Sequence, residues 1–364
     1  MGKRFLPPDN SKELEELIKE YTTCSRDHLP VLAARYGFRN DYSLMDSMWH
    51  RLGIKWAKPI KEQEIKEAKE VIVNLPSIKL KTYKPIEHKG KGDPETQVLL
   101  LGDLHAGEIT PSYNGKVFKA RLNKLYQSLL TITYLHRNMY QVNDLVIIDL
   151  GDNVHGENAH MGATIENTEC GAVSQVFELA LPELNNLLAS LKQEFRTIAF
   201  YGIIGNHGRS SREAPMTSNW DLMLYNALKA ERLSSGIEIY PCKEFAQIVP
   251  IQGFKFFCFH GDQIRSYQGV PYFALVRKII SWFITYGGFA YSCSGHWHKD
   301  DILRVSAKTK HFMNGALPTD DPYALKVIGT SAIPAQWTFG VHAKKGVTWC
   351  YSLVLDEAFL PMRD

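Results

Sequence analysis

The sequence predicts an α/β protein, a sheet-centred sandwich flanked by helices, with a small all-α domain before it. From Gln97 onward, apolar runs of strand length alternate with helical patterns, and short strands dominate the last part of the chain. Residues 11–55 show only helical spacing. We therefore predict a helical domain at 1–58, a basic connector at 59–96 and the main domain at 97–364.

Composition limits the class of protein. The 364 residues, 45% of them hydrophobic, can form two domains with a substantial core. Residues 1–92 carry 18 Lys/Arg against 13 Asp/Glu, whereas the rest carries 24 against 26. Six scattered cysteines without a Cys-x-x-Cys pair argue against a zinc ribbon or a disulfide framework. We expect no secretory signal, because Met1–Arg4 leads into Pro7 and Pro8 rather than into an apolar segment. We also expect a soluble, cytoplasmic protein, because the longest apolar stretch, 279–291, is too short to span a membrane.

The N-terminal domain is predicted to contain three helices. Ser11 can cap the first, Arg26–Tyr36 forms the second and Tyr42–Leu52 the third. The segment Leu32–Phe38 resembles the second helix and turn of a helix-turn-helix, in which the next helix enters the DNA major groove. A bundle that dimerises or packs on the next domain is the alternative. The candidate groove-facing residues are Asn40, Asp41, Ser43, Ser47, His50 and Arg51.

The connector is basic and contains glycine and proline. Its side chains Lys81, Lys84, Lys89 and Lys91 could lie along a phosphate backbone. A solvated linker explains the same composition.

The main domain combines predicted helices with predicted strands. The helices are expected at 116–139, 166–193, 220–231 and 272–285. Late strands are expected at 302–306, 311–314, 335–342 and 348–355. Five earlier apolar runs predict buried strands, namely Val98–Gly102, Leu145–Gly151, Thr197–Ile204, Phe254–Phe259 and Phe289–Ser294.

Each of these five strands ends in polar residues. Ligands of open sheets bind beyond the carboxyl ends of the strands, so these residues should converge. Together they offer carboxylate, imidazole and amide donors, a set suited to Mn²⁺, Fe or Zn²⁺. Seven donors exceed the needs of one ion and suit two ions about 3.5–4 Å apart that share a carboxylate. The candidate ligands are Asp103, His105, Asp152, Asn206, His260, His296 and His298.

Charge predicts the substrate class of such a site. Two divalent cations against two carboxylates leave an excess of about two positive charges, which matches a phosphate ester together with a hydroxide. The metals would lower the pKa of bound water and so supply the nucleophile for attack on phosphorus. Glu108 and Asp149 could support the ligands, although turn and strand-end roles explain them more simply.

The order and spacing of these clusters resemble a known family. The resemblance to the calcineurin-like metallophosphoesterase superfamily covers roughly residues 97–300 and implies a two-sheet β-sandwich flanked by helices. It also implies one metal held by Asp103, His105, Asp152 and His298, and a second held by Asp152, Asn206, His260 and His296. The matching motifs are Asp103-Leu104-His105, Gly151-Asp152, Gly205-Asn206-His207, His260 and Gly295-His296-Trp297-His298.

Within the superfamily, His155 is similar to a residue of the DNA double-strand-break repair nucleases. That resemblance implies His207 as general acid or transition-state stabiliser and His155 as a phosphate-orienting residue. The chain departs from the family at Gly208, where an acidic residue usually follows the histidine. Arg209 and Arg212 come next and could clamp a phosphate.

The predicted function is a two-metal-dependent phosphodiesterase, a DNA nuclease that uses a metal-bound hydroxide. A phosphomonoesterase or small-molecule (cyclic nucleotide) phosphodiesterase is the first alternative, and a non-catalytic DNA-binding or scaffold protein the second. The expected partner is DNA, with no membrane and with a homodimer as one option. Only 66 residues follow His298, which does not support an ATPase partner.

Overall fold

The computed structural model describes residues 11–24, 26–52, 54, 88, 90, 92–157, 167–211, 213–232, 235–264, 271–319 and 333–356. The chain divides into two compact units, 1–75 and 76–364. Most of the predicted connector at 59–96 lies outside the described residues.

The described part of the N-terminal unit, residues 11–54 with short gaps, is helical. It contains α1 (Lys12–Thr23), a short 3₁₀ turn (Arg26–His28), α2 (Leu29–Arg35) and α3 (Asp41–Leu52). The Ser11 side chain accepts a hydrogen bond from the Leu14 backbone N–H at 3.1 Å and so caps α1. The buried core of this unit consists of Leu14, Leu17, Tyr21, Leu29, Leu32, Ala33, Phe38, Leu44 and Met48.

The larger unit contains two mixed sheets within its described residues. The first sheet has the strand order β11-β10-β1-β2-β3-β4, in which β1 to β4 are parallel. Its strands are β1 (Pro94–Leu101), β2 (Gln141–Asp149), β3 (Thr197–Gly202), β4 (Ile237–Pro241), β10 (Ala335–His342) and β11 (Gly346–Val354). The second sheet has the order β5-β6-β7-β9-β8, in which β6, β7 and β9 are parallel. Its strands are β5 (Ala246–Ile251), β6 (Phe254–Phe259), β7 (Tyr291–Ser294), β8 (Asp301–Arg304) and β9 (Lys310–Met313).

Helices cover the outer faces of the sheets. They are α4 (Gly115–Arg137), α5, α6 (Trp220–Arg232) and α7 (Tyr272–Thr285). The helix α5 begins with Ala172–Ser174, passes through a π-helical turn at Gln175–Ala180 and continues as Leu181–Glu194. The predicted α/β sandwich is thereby confirmed. The sequence prediction lacked β4 and β5, two strands that each contain a proline at or near the end.

The two sheets pack face to face through one apolar core. Val98 and Ile148 of the first sheet meet Phe256 and Phe312 of the second in this cluster. The ring of Phe312 stacks on that of Phe339, with centroids 4.7 Å apart and planes 18° apart. No helix among the described residues combines the length and the apolar character needed to cross a membrane.

A substitution at Phe312 tests whether this core holds the two sheets together. Phe312→Ala should lower the free energy of unfolding by about 3–5 kcal/mol, because the lost side chain leaves a cavity between the sheets. Phe273→Ala, at a side chain that is 83% exposed on α7, should change it by less than about 0.5 kcal/mol. Urea unfolding of both variants measures the difference, and equal effects would contradict the assigned core.

Candidate metal centre

Backbone strain marks the loops that carry the predicted ligands. Among the described residues, six other than glycine have a positive φ, and five of these six are predicted ligands. This conformation costs on the order of 1–3 kcal/mol per residue and persists where the surrounding structure enforces it. The loops are therefore built to aim these side chains. The five are Asp103 (φ 51°), His105 (φ 46°), Asp152 (φ 55°), His296 (φ 74°) and His298 (φ 55°).

The first donor group combines Asp103 and His105, which follow β1, with His298, which follows β7. One ligand atom from each lies within 4.8 Å of the others. The Nε2 atoms of His105 and His298 are 3.1 Å apart, and Asp103 Oδ1 is 3.5 Å from His298 Nε2. This compact set of two nitrogens and one oxygen can ligate one ion.

The second donor group combines Asp152 after β2 with His260 after β6 and His296 after β7. Their ligand atoms also lie within 4.8 Å of one another. His260 Nε2 is 2.8 Å from Asp152 Oδ2 and 3.0 Å from Asn206 Oδ1. Asn206 therefore belongs to this group, and all seven predicted ligands are divided between two adjacent groups.

The ring of His260 tests whether a cation fits. Its Nδ1 lies 2.7 Å from the Leu150 carbonyl oxygen, to which it donates a proton. Its Nε2 faces oxygen atoms of Asp152 and Asn206. Electron pairs that face one point require a cation or a proton between them, and a metal-bound histidine commonly donates its other N–H to a carbonyl. The residues present fit a divalent metal.

Electrostatics leads to the same conclusion. Burial opposes the charge on His260, but the Asp152 carboxylate outweighs burial and raises the pKa of His260 to about 10. Burial alone would raise the pKa of Asp152, yet His260 and His207 hold it well below its usual range. Burial first, and then the neighbouring histidines, lower the pKa of His105 and of His296. Both imidazoles are therefore neutral, the form that binds metal.

A third group of side chains contains the two predicted catalytic histidines. Ligand atoms of His105, His155 and His207 lie within 4.8 Å of one another. The rings of His105 and His207 meet edge to face with centroids 4.5 Å apart. His207 Nδ1 is 2.8 Å from the backbone carbonyl oxygen of His155. The backbone N–H of His207 donates to Asp152 Oδ1 at 2.7 Å. His207 thus adjoins both donor groups, and His155 adjoins the first.

Comparison with known proteins identifies this arrangement. The family model of the calcineurin-like phosphoesterases matches residues 96–300. The chain belongs to that family. Membership supports metal-dependent phosphoester hydrolysis and agrees with the two sheets and the donor groups described above.

Solved structures with a similar chain are distant in sequence. Vacuolar Protein Sorting 29 from Cryptosporidium parvum is 16% identical, with 71% of this chain and 100% of that chain covered and a TM-score of 0.34. A 5'-nucleotidase from Candida albicans is 15% identical, with 71% and 49% covered and a TM-score of 0.32. A hypothetical protein from Pyrococcus horikoshii is 11% identical, with 72% and 90% covered and a TM-score of 0.35. A comparison with curated proteins gave no match.

Asp221, in the first turn of α6, is a supporting residue that the sequence prediction missed. Its carboxylate accepts the backbone N–H groups of Asp152 (3.0 Å), Asn153 (3.0 Å) and Gly205 (2.9 Å). Burial, followed by the nearby Asp152, raises the pKa of Asp221 to about 6. Asp221 thereby ties together the loops after β2 and β3. An acidic residue near a helix start, 15 positions after Asn206, is the signal that could have indicated it.

Glycine is required where these loops touch. A β-carbon on Gly205 would collide with the Oδ1 atom of Asp152. A β-carbon on Gly208 would collide with Asn219 and would lie 3.0 Å from an oxygen of Asp221. The space that a side chain would need at position 208 is thus filled by the support for the loop, which explains the departure from the family pattern.

The predicted phosphate clamp has a different partner in the structure. The Arg209 guanidinium donates to Asp262 Oδ2 at 2.7 Å and so joins the loops after β3 and β6. Arg212 lies outside the described residues. The clamp therefore stays a prediction.

The predicted groove-facing residues of α3 belong to the other unit. The Asn40 side chain accepts the Ser43 N–H at 2.9 Å, and the Ser43 hydroxyl accepts the Asn40 N–H at 3.1 Å. These two side chains thus cap α3. His50 pairs with Asp46 at 3.2 Å, Ser47 is half-buried and Arg51 is exposed. Their role in DNA binding stays a prediction.

Asp149, the last residue of β2, is a buried carboxylate close to the donor groups. Its Oδ1 accepts hydrogen bonds from the Gly151 N–H, the Asn153 amide and the Tyr225 hydroxyl. Burial nevertheless raises the pKa of Asp149 to about 8. The folded protein therefore binds a proton that the unfolded chain releases above about pH 4, and folding stability falls as the pH rises from about 4 to 8.

Asp149→Asn replaces the protonated carboxyl with a neutral group of the same shape. In the wild type, Asp149 makes the free energy of unfolding fall by about 1.4 kcal/mol per pH unit over that range. We expect this contribution to be absent from the variant. Urea unfolding of metal-free protein at several values between pH 5 and pH 8 measures this slope. Asp144→Asn removes a carboxylate of the same strand that pairs with Arg196 at the surface and serves as the control. An unchanged slope in the Asp149 variant would show that Asp149 is ionised in the fold.

Proposed function

We propose that the chain is a two-metal-dependent phosphodiesterase that cleaves DNA. One observation carries this proposal: two donor groups of buried or half-buried carboxylates and histidines lie side by side, with His207 beside both and His155 beside the first. Divalent cations held there would act as Lewis acids, neutralising phosphate charge and making water a stronger nucleophile. The donor types suit Mn²⁺ first, with Fe or Zn²⁺ as alternatives.

The histidines beside the metal groups would handle the leaving group. Cleavage of a phosphodiester expels an alkoxide, which needs a proton as the bond to phosphorus breaks. His207 keeps Nδ1 on the His155 carbonyl oxygen, so Nε2 is the atom that would serve the substrate. As an imidazolium it would donate its Nε2 proton to the departing oxygen, or it would stabilise charge in the transition state. His155 would orient the phosphate.

Two other functions compete with this proposal. A phosphomonoesterase or cyclic nucleotide phosphodiesterase would use the same metals on a smaller substrate. A scaffold or DNA-binding protein would need no complete set of ligands, whereas this chain brings all seven donors together. Hydrolysis is therefore the better explanation of the site.

Substrate comparison tests the proposal. With Mn²⁺, we expect cleavage of linear DNA and of bis-p-nitrophenyl phosphate, and weak turnover of p-nitrophenyl phosphate. Asp152→Asn should lower kcat/KM by about a thousandfold or more, because it removes several kcal/mol of charge stabilisation from the metal group. Fast monoester turnover without cleavage of any DNA would refute the nuclease, and full activity of Asp152→Asn would reveal a contaminating enzyme.

Charge favours the connector over α3 as the DNA-binding element. Residues 11–52, which include the three helices, carry six Lys/Arg against seven Asp/Glu. The basic excess of the N-terminal part therefore lies mainly in residues 53–92, where ten lysines face five acidic residues. Each phosphate contact contributes about 0.9 to the slope of log affinity against log salt.

Full-length protein with Lys81, Lys84, Lys89 and Lys91 replaced by glutamine should thus bind duplex DNA with a salt slope reduced by about 2–4. Deletion of residues 1–55 should leave most of that slope intact. Fluorescence anisotropy at 50–200 mM salt measures both. If the salt slope falls when residues 1–55 are deleted but not when the four lysines are replaced, groove binding by α3 would be favoured. If neither change alters the salt slope, a dimerising bundle would be favoured.

A further inference from the structure

We propose that Glu108 is a positioning residue of the metal centre. Its carboxylate orients the imidazole rings of His105 and His155 so that the Nδ1 atom of each ring faces Glu108. The proposal rests on the proposed function for its consequence in catalysis, but its geometry and its main tests do not. It assigns a role to a carboxylate that none of the seven ligand positions includes.

The carboxylate lies between two rings. Glu108 Oε2 is 3.6 Å from His105 Nδ1 and 3.8 Å from His155 Nδ1. All three side chains are less than one tenth exposed. Coulombic attraction between a carboxylate and an N–H is strong in such a poorly hydrated setting. The Nδ1 atoms are therefore where these rings keep a proton.

His105 then uses its two nitrogens for different purposes. Its Nε2 faces the first donor group, 3.1 Å from His298 Nε2, while Nδ1 faces Glu108. A carboxylate on the far nitrogen fixes the tautomer and orientation of a metal-bound histidine and raises its basicity. Glu108 is in this position relative to the first metal group.

The His155 ring acquires the same orientation. With its proton on Nδ1, the ring presents Nε2 to its other side. Independently of the ring, the backbone carbonyl oxygen of His155 holds His207 Nδ1 at 2.8 Å. The chain has Gly208 where the family usually has an acidic residue. Glu108, in the loop after β1, supplies a carboxylate near the same histidines.

The backbone around Glu108 is held firmly. The Glu108 N–H donates to the His105 carbonyl oxygen at 3.0 Å, and the next residue, Ile109, donates to the Asn167 carbonyl oxygen at 2.9 Å. Glu108 also forms an isolated β-bridge with Thr168. A purely structural turn residue would need only these backbone contacts, so the side chain can be tested separately.

Titration calorimetry with Mn²⁺ alone tests the proposal without reference to catalysis. Full-length Glu108→Gln should bind one Mn²⁺ about 10–100-fold more weakly than wild type and the other with nearly unchanged affinity. Glu169→Gln is the matched control, because the Glu169 carboxylate accepts the Gly115 N–H at the start of α4 and no ion pair among the described residues joins it to a histidine of the donor groups. Thermal unfolding of the metal-free proteins checks that both variants fold.

The ring nitrogens give an independent signature. Two-dimensional ¹H–¹⁵N spectra of the histidine side chains in metal-free protein should show His105 and His155 protonated at Nδ1 in wild type and in Glu169→Gln. In Glu108→Gln, at least one of the two should shift towards the Nε2–H tautomer. Replacement of each histidine by glutamine assigns its signals.

The outcomes separate this proposal from the proposed function. Wild-type Mn²⁺ affinities in Glu108→Gln, equal weakening of both sites, or Nε2–H tautomers in wild type would overturn the role of Glu108. A wild-type protein that binds two Mn²⁺ but hydrolyses no phosphoester would instead overturn the proposed function, and the Glu108 result would stand.

Discussion

The centre depends on one buried carboxylate that no substrate or metal needs to touch. Asp221 accepts three backbone N–H groups, two from the loop after β2 and one from the loop after β3. Hydrogen bonds to a charged acceptor contribute about 1.5–3 kcal/mol each. That is enough to offset the strained backbone of Asp152, whose φ is 55°. Asp152 can therefore keep the orientation that serves the second donor group.

This support has an electrostatic cost that the metals would relieve. Asp221 and Asp152 are buried near each other, and their repulsion adds to burial in raising the pKa of Asp221 to about 6. Cations bound at the donor groups would add positive charge beside Asp152 and would so favour the ionised form of Asp221. Asp221 would thus accept its three backbone hydrogen bonds most strongly when metal is bound at the donor groups.

The convergence of these seven donors could be predicted from the sequence because they share a simple local signal. Each follows an apolar run, and parallel strands bring such positions to one edge of a sheet. The supporting residues carry no such signal: Asp221 and Tyr225 lie on α6, and Gln175, which accepts the Gly156 N–H at 2.8 Å, lies on α5. Their roles arise from how helices pack on the sheet, which depends on contacts far apart in the chain.

The same limit applies to Arg209, which follows the segment Gly205-Asn206-His207-Gly208. Arg209 carries the charge that a phosphate clamp needs, and the sequence shows no more than that. Its partner Asp262 lies 53 residues further on, at the end of a strand in the other sheet. Residue type predicts what a side chain can bind, whereas the fold decides which of several possible partners is near.

Each donor group takes residues from both sheets. Asp103 and His105 follow a strand of the first sheet, while their companion His298 follows a strand of the second. Asp152 is likewise completed by His260 and His296 from the second sheet. A bound ion would therefore link the two sheets directly and stabilise the sandwich by about 2.7 kcal/mol when its concentration is a hundred times its Kd. Metal binding would for this reason be coupled to sheet packing, and a substitution that weakens the phenylalanine core between the sheets would also weaken the apparent affinity for metal.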